Sequence, residues 1–158
     1  MILSDAARQR ISRIAERYPK VRSAILPALH VAYEEHGYLS DQMYEEIAQT
    51  LDVKYVEVAE AASFYTMFPK GKRGKYLIQV CRNISCALLG SHHLTEYLLD
   101  KLNVELGETT ADGLFTVVEV ECLGSCTTAP MMQINEHYHE NLTIEKVDRL
   151  IEEFRSQK

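Results

Sequence analysis

FTVVEVECLGSC, residues 115–126, is a strand-like run that stops abruptly in two cysteines. Phe115 to Glu121 carries three valines, a phenylalanine and a threonine, the composition of a β-strand. Cys122-Leu123-Gly124-Ser125-Cys126 then breaks the run with glycine and serine, so Cys122 to Thr128 reads as a loop. KYLIQVCRNISC, residues 75–86, repeats the grammar: a short apolar strand over Lys75–Cys81, then a loop that ends in Cys86. Between the two, Leu94, Leu98 and Leu102 recur at helical spacing, which predicts a helix from Cys86 to Leu102.

Working outward, Thr110-Ala111-Asp112-Gly113 is a turn before the second strand. Pro130 introduces a third strand, Met131 to Ile134, and Asn135-Glu136 turns the chain into a short fourth strand near Tyr138. Thr143 caps a last helix with Ile144, Val147, Ile151 and Phe154 on one face. The order is β-α-β-β-α, with the short extra strand before the final helix. Upstream the pattern is helical throughout. Ala7, Ile11, Ile14 and Tyr18 make one face, capped by Ser4 or Asp5 and ended by Tyr18-Pro19. A second run holds Val21, Ile25, Leu29, Ala32 and Tyr33 and stops at Gly37; Pro27 within it predicts a kink or a later start. Ser40-Asp41 opens a third helix with Met43, Ile47 and Leu51 inward, and a fourth holds Val56, Ala59, Ala62 and Ser63. The chain therefore reads as α+β: a helical region over residues 1–72 and a second domain over 73–158. Phe64, Tyr65 and Phe68 read as core or junction packing.

The chain has 158 residues and a formal charge of −6. Its mild acidity argues against a nucleic-acid surface, which needs clustered cations. The one basic stretch, Lys70-Gly71-Lys72-Arg73-Gly74-Lys75, carries two glycines and reads as an exposed turn. No apolar run reaches the roughly 18 residues that span a bilayer, and MILSDAARQR lacks the features of a signal peptide. A reducing, cytoplasmic setting is the expectation, in which paired cysteines serve metals or catalysis more often than disulfides.

The sequence contains four cysteines, spaced Cys81-x4-Cys86 and Cys122-x3-Cys126. Thiolates are soft donors that select zinc, cuprous copper or iron–sulfur iron. Structural zinc favours tighter Cys-x2-Cys knuckles, absent here, although a zinc-stabilised interaction module stays the alternative of another class. A Cys-x4-Cys pair also opens the plant-type ferredoxin pattern, whereas the second spacing departs from it. Two separated pairs suggest a [2Fe–2S] centre with one iron per pair. No histidine lies within three residues of a cysteine, which rejects a Rieske centre. Four thiolates, two sulfides and two ferric ions would carry net negative charge. The expected compensation is loop amides near Gly124, a helix opening at Cys86, and Arg82.

His30, His36, His92, His93, His137 and His139 stand beside no recognisable nucleophile or carboxylate pattern, so no catalytic residue is expected. Glycine-rich nucleotide motifs are absent, and no NAD or FMN site is expected in this chain.

At this point the residues resemble a known family. Tyr18-Pro19, Ala24 to Leu29, Glu35-His36-Gly37-Tyr38, Ala62-Ser63-Phe64-Tyr65, Tyr76 to Cys81, Ser85-Cys86 and Thr110 to Phe115 carry the likeness. Val120 to Cys126, followed by Ala129-Pro130, carries it most specifically. The chain resembles the E-type subunits of bacterial NADH–quinone oxidoreductase (respiratory complex I), a family of thioredoxin-like [2Fe–2S] proteins. Ala61 departs from the larger aliphatic residue expected there, and the sequence ends soon after its last helix, unlike relatives with long tails, so no tail-mediated contact is expected. The resemblance implies a helical bundle followed by a thioredoxin-like [2Fe–2S] domain, with Cys81, Cys86, Cys122 and Cys126 as ligands. It implies an electron-transfer subunit that accepts one electron from FMN and does no chemistry alone. The implied partners are a flavoprotein subunit that binds FMN and NADH, and other peripheral-arm iron–sulfur subunits. The implied place is the cytoplasm or the cytoplasmic face of the inner membrane. Similar subunits serve NAD-dependent formate dehydrogenases and NAD-linked hydrogenases, which stay as alternative hosts.

Overall fold

The computed structural model describes residues 1–157, and the chain divides into two compact units, Met1–Lys72 and Arg73–Lys158. The first is helical: α1 (Asp5–Ala15), α2 (Ile25–His36), α3 (Asp41–Leu51) and α4 (Tyr55–Phe64). Ser4 and Ser40 accept the amides of Ala7 and Met43 and so cap α1 and α3, each satisfying one of the donors a helix start leaves open. The later start is what the structure shows: α2 begins at Ile25. A 3-10 turn over Val21–Ala24 precedes the helix, and Pro27 falls in the first turn of α2, where its missing N–H breaks no helical bond. Helix α1 packs on α2 and α3, and α4 packs on the same two. Ile11, Leu29, Met43 and Ile47 are fully buried between them.

Two expectations for this unit fail. Val58 and Ala62, not Val56, are the buried residues of α4; Val56 and Ser63 are exposed. Phe68 is buried at 5% exposure, edge-on to His30 and Tyr33, but Phe64 is 77% exposed and Tyr65 also lies at the surface. Phe64, the last residue of α4, stands two positions past buried Ala62 and so on the opposite face of the helix; the chain then leaves the helix extended at Tyr65.

The second unit is a four-stranded sheet with helices. Its strands are β1 (Tyr76–Cys81), β2 (Phe115–Val120), β3 (Met132–Ile134) and β4 (His137–His139), in the order β2-β1-β3-β4. β1 runs parallel to β2 and antiparallel to β3, and β3 is antiparallel to β4. Parallel neighbours need a crossover, supplied here by α5 (Ile84–Leu88) and α6 (Ser91–Leu102). Burial alternates along β1: Tyr76, Ile78 and Val80 are buried, and Leu77 and Gln79 half-buried, the signature of a sheet with one covered face. Leu94, Leu98 and Leu102 of α6 share that core with Val147 and Ile151 of α7 (Ile144–Ser156) and with Phe115, Val117, Met132 and Ile134. Thr143 accepts the Lys146 amide at 3.2 Å and caps α7 as expected.

The helix expected over Cys86–Leu102 is two helices. It begins earlier, at Ile84 under an Asn83 cap, and breaks at Gly90, whose φ of 92° lies in the left-handed region. Only glycine adopts that conformation without strain, and an apolar period that continues across the break hides it.

Candidate metal centre

Cys81 ends β1, and the parallel ladder pairs it with Val120, the last residue of β2. Both chains therefore leave the sheet at the same end, and their loops emerge side by side, where ligand sites of parallel strands gather. The Arg82 amide donates to the Val120 carbonyl at 3.0 Å and carries this ladder one residue beyond the strands. The Cys81 amide donates to the Met131 carbonyl at 3.2 Å, which draws the chain after the cis Ala129–Pro130 peptide against the first thiol loop.

Helix α5 turns Cys86 inward and leaves Ile84 and Leu88 exposed. Cys81 and Cys86 are buried and form a small apolar cluster with Met131, Leu123 and Ala129. Cys122 and Cys126 are exposed, and all four thiols are free. Burial pushes the Cys86 thiol up, the neighbouring Cys81 thiol adds to this, and a backbone bond from Met131 pulls the other way. Cys126 contributes a weaker repulsion to Cys86, so the charge of the second loop is felt at the first. Thiolates brought together in this way repel one another, and a cationic centre is what lets them coexist as anions. Among the described residues no three His, Cys, Asp or Glu side chains are gathered for a single metal ion. Two thiol pairs of soft donors on adjoining loops fit a centre of two irons.

Gly124 has a φ of 79°, a left-handed backbone that favours glycine. Two of the supports expected around the site differ. Helix α5 is five residues long and begins at Ile84, so Cys86 lies in its first turn rather than opening a long helix. Arg82 pairs through its guanidinium with Glu121 and lies 4.0 Å from Glu119, so its charge is neutralised locally instead of being offered to the site.

Other residues had no signal in the sequence. The Tyr138 hydroxyl donates to the Leu123 carbonyl at 2.7 Å. Ser125 and Thr128, on either side of Cys126, both donate to Oε1 of Glu140. No spacing rule links a carboxylate on one hairpin to hydroxyls on a distant loop. The histidines stand elsewhere: His92 lies 3.7 Å from Glu119, and His137 and His139 lie within β4. Burial holds the His139 imidazole below the usual histidine range.

A mixed sheet with a strand–helix–strand crossover and four free thiols on loops at one end fits a small iron–sulfur carrier of thioredoxin-like build. The model of the thioredoxin-like [2Fe–2S] ferredoxin family matches residues 11–155, and the chain belongs to that family. The family's [2Fe–2S] centre removes zinc as the cofactor. The chain is 48% identical over 149 residues to the E 2 subunit of NADH-quinone oxidoreductase from Rhizobium meliloti (strain 1021), covering 94% of this chain and 89% of the relative. It is 44% identical over 144 residues to the E subunit of NADH-quinone oxidoreductase from Rickettsia felis, covering 89% and 86%. Among solved structures, an NAD+-reducing [NiFe]-hydrogenase in the H2-reduced state is similar with a TM-score of 0.71 at 27% identity. That match covers 85% of this chain but only 22% of the hydrogenase chain. Among the described residues no helix is long and apolar enough to cross a membrane.

Proposed function

We propose that this chain is the [2Fe–2S] electron-transfer subunit of an NADH dehydrogenase of the NADH–quinone oxidoreductase type. Cys81, Cys86, Cys122 and Cys126 hold the cluster, and the partner is a flavoprotein subunit that carries FMN and the NADH site, among other iron–sulfur subunits. One observation carries the reading: the β1–β2 register brings two free thiol pairs to one sheet end, in a chain close in sequence to subunits of that enzyme. The bound cluster supplies a one-electron store beside a flavin that receives two electrons as hydride.

The chain's own residues set the conditions. The ladder from Tyr76–Phe115 to Cys81–Val120 fixes the separation of the two loops. Met131, Leu123 and Ala129 cover Cys81 and Cys86 and keep water from that side. The exposed Cys122 and Cys126 leave a short path to a partner. As an electron-transfer subunit, the chain leaves NADH oxidation to the assembled enzyme. The assembly would bring the chain to the cytoplasmic face of the inner membrane. A second host, an NAD-linked hydrogenase, is favoured by the structural likeness and would use the same site in the same way.

Purification under oxygen exclusion tests the reading. Red-brown protein with about two irons and two sulfides per chain, bleached by dithionite, is expected. Cys122→Ser should weaken or lose the visible bands. Colourless protein that takes up zinc but cannot be reconstituted with iron and sulfide would end the proposal.

A further inference from the structure

The Cys126 loop is the more open half of the site: Cys122, Gly124, Cys126 and Thr127 are all exposed. Yet it has a specific anchor. Ser125 precedes Cys126, and Cys126 opens a 3-10 turn that ends at Thr128. The Ser125 and Thr128 hydroxyls lie 2.8 Å apart and both reach Oε1 of Glu140, the Thr128 hydroxyl at 2.6 Å. The two hydroxyls, which flank Cys126 in sequence, are held together by one carboxylate oxygen.

Glu140 is itself held. It follows β4, whose pairing with β3 fixes the backbone, and its carbonyl accepts the Lys146 ammonium from the first turn of α7. Beside it, the Asn141 amide donates to the Thr128 carbonyl at 2.7 Å, and the Leu142 amide to the Pro130 carbonyl at 2.9 Å. The carboxylate thus joins the thiol loop to the rigid end of the hairpin. The two donated hydroxyls hold the Glu140 carboxyl below the usual range, so it is an anion at neutral pH.

We propose that Glu140 is a positioning residue for the [2Fe–2S] centre: by gripping Ser125 and Thr128 it sets the place of the Cys126 thiolate. The inference rests on the assignment of Cys126 as a ligand. The roles of the two features of Glu140 separate by chemistry. A glutamine at 140 keeps an acceptor oxygen for the hydroxyls and removes the charge; an alanine removes both. Groups that orient ligands in this way typically govern metal retention by factors of about 10–100.

The test uses the full chain loaded with iron and sulfide. Wild-type protein is loaded first; failure at that step sinks the ligand assignment rather than this inference. Glu140→Ala should then lose iron to a chelator about ten-fold faster or more, with altered resonance lines of the reduced cluster in electron paramagnetic resonance. Glu140→Gln should restore wild-type retention and line shape. Ser125→Ala with Thr128→Val should copy Glu140→Ala, and adding Glu140→Ala to that pair should change nothing further. Wild-type retention and spectrum in Glu140→Ala would overturn the proposal. So would equal loss in Glu140→Gln and Glu140→Ala while the far-ultraviolet circular dichroism of both stays native.

Discussion

Gly74 is the most tightly enclosed glycine of the second unit, and replacing it with alanine is the sharpest test of how the sheet is built. A Cβ at Gly74 would stand 2.8 Å from the carbonyl carbon and oxygen of Leu114 and from the carbonyl carbon of Phe115. All three are backbone atoms at the start of β2, so no side chain can swing aside. The strand or the incoming chain must move, and overpacking of this kind costs about 1–3 kcal/mol. The Gly74 amide also donates to the Thr116 hydroxyl at 2.7 Å, and Thr116 is buried. Losing that bond adds about 1 kcal/mol. The sum is roughly 2–4 kcal/mol, and a chain of this length loses about 2–4 °C per kcal/mol. Gly74→Ala should therefore lower the melting temperature by about 4–16 °C, with faster loss of the visible bands of the loaded protein on heating. Thermal unfolding followed by circular dichroism measures it. A variant that melts within about 1 °C of the parent would refute the claim that this glycine is held against the backbone of β2.

Two more outcomes are expected from the helical unit. Burial opposes the Glu46 carboxylate, but the amides of Ile2 and Leu3 and the charge of Arg8 outweigh it and hold its carboxyl below the usual range. The folded value lies below the unfolded value of about 4.3, so the stabilisation is present above that pH and is lost as the pH falls through the folded value. Melting temperatures measured from pH 7 to pH 3 should fall more steeply in the parent than in Glu46→Gln, which starts about 1–3 kcal/mol less stable at pH 7; parallel curves would contradict the assignment. Phe64→Ala, at an exposed ring, should change the stability of the isolated chain by no more than about 0.5 kcal/mol in urea unfolding. A loss of several kcal/mol would mean that the ring is core after all.

The parts of this fold that were legible in the sequence are those governed by neighbours along the chain. Ser4, Ser40 and Thr143 cap helices because a hydroxyl needs to reach only three residues forward. The strands around residues 76–81 and 115–120 follow from short β-branched and apolar runs bounded by turns. Spacing also singled out the four thiols, and the ladder sets the two loops that carry them at one end of the sheet. What escaped depends on distant partners or on a single dihedral. Gly90 breaks a helix whose apolar period runs on regardless. Arg82 looks like a free cation until Glu121 is folded beside it. Glu140 is one more acidic residue until two hydroxyls from another loop close on it.

The six-rung ladder between β1 and β2 acts as a gauge. Across it, the interval between the loops is set by hydrogen bonds, not by the length of chain that joins Cys86 to Cys122. Natural variants can therefore lengthen or shorten the segment after α6 without disturbing the thiols, whereas deleting one residue within β2 would turn its core-facing side chains outward and pull the loops out of step.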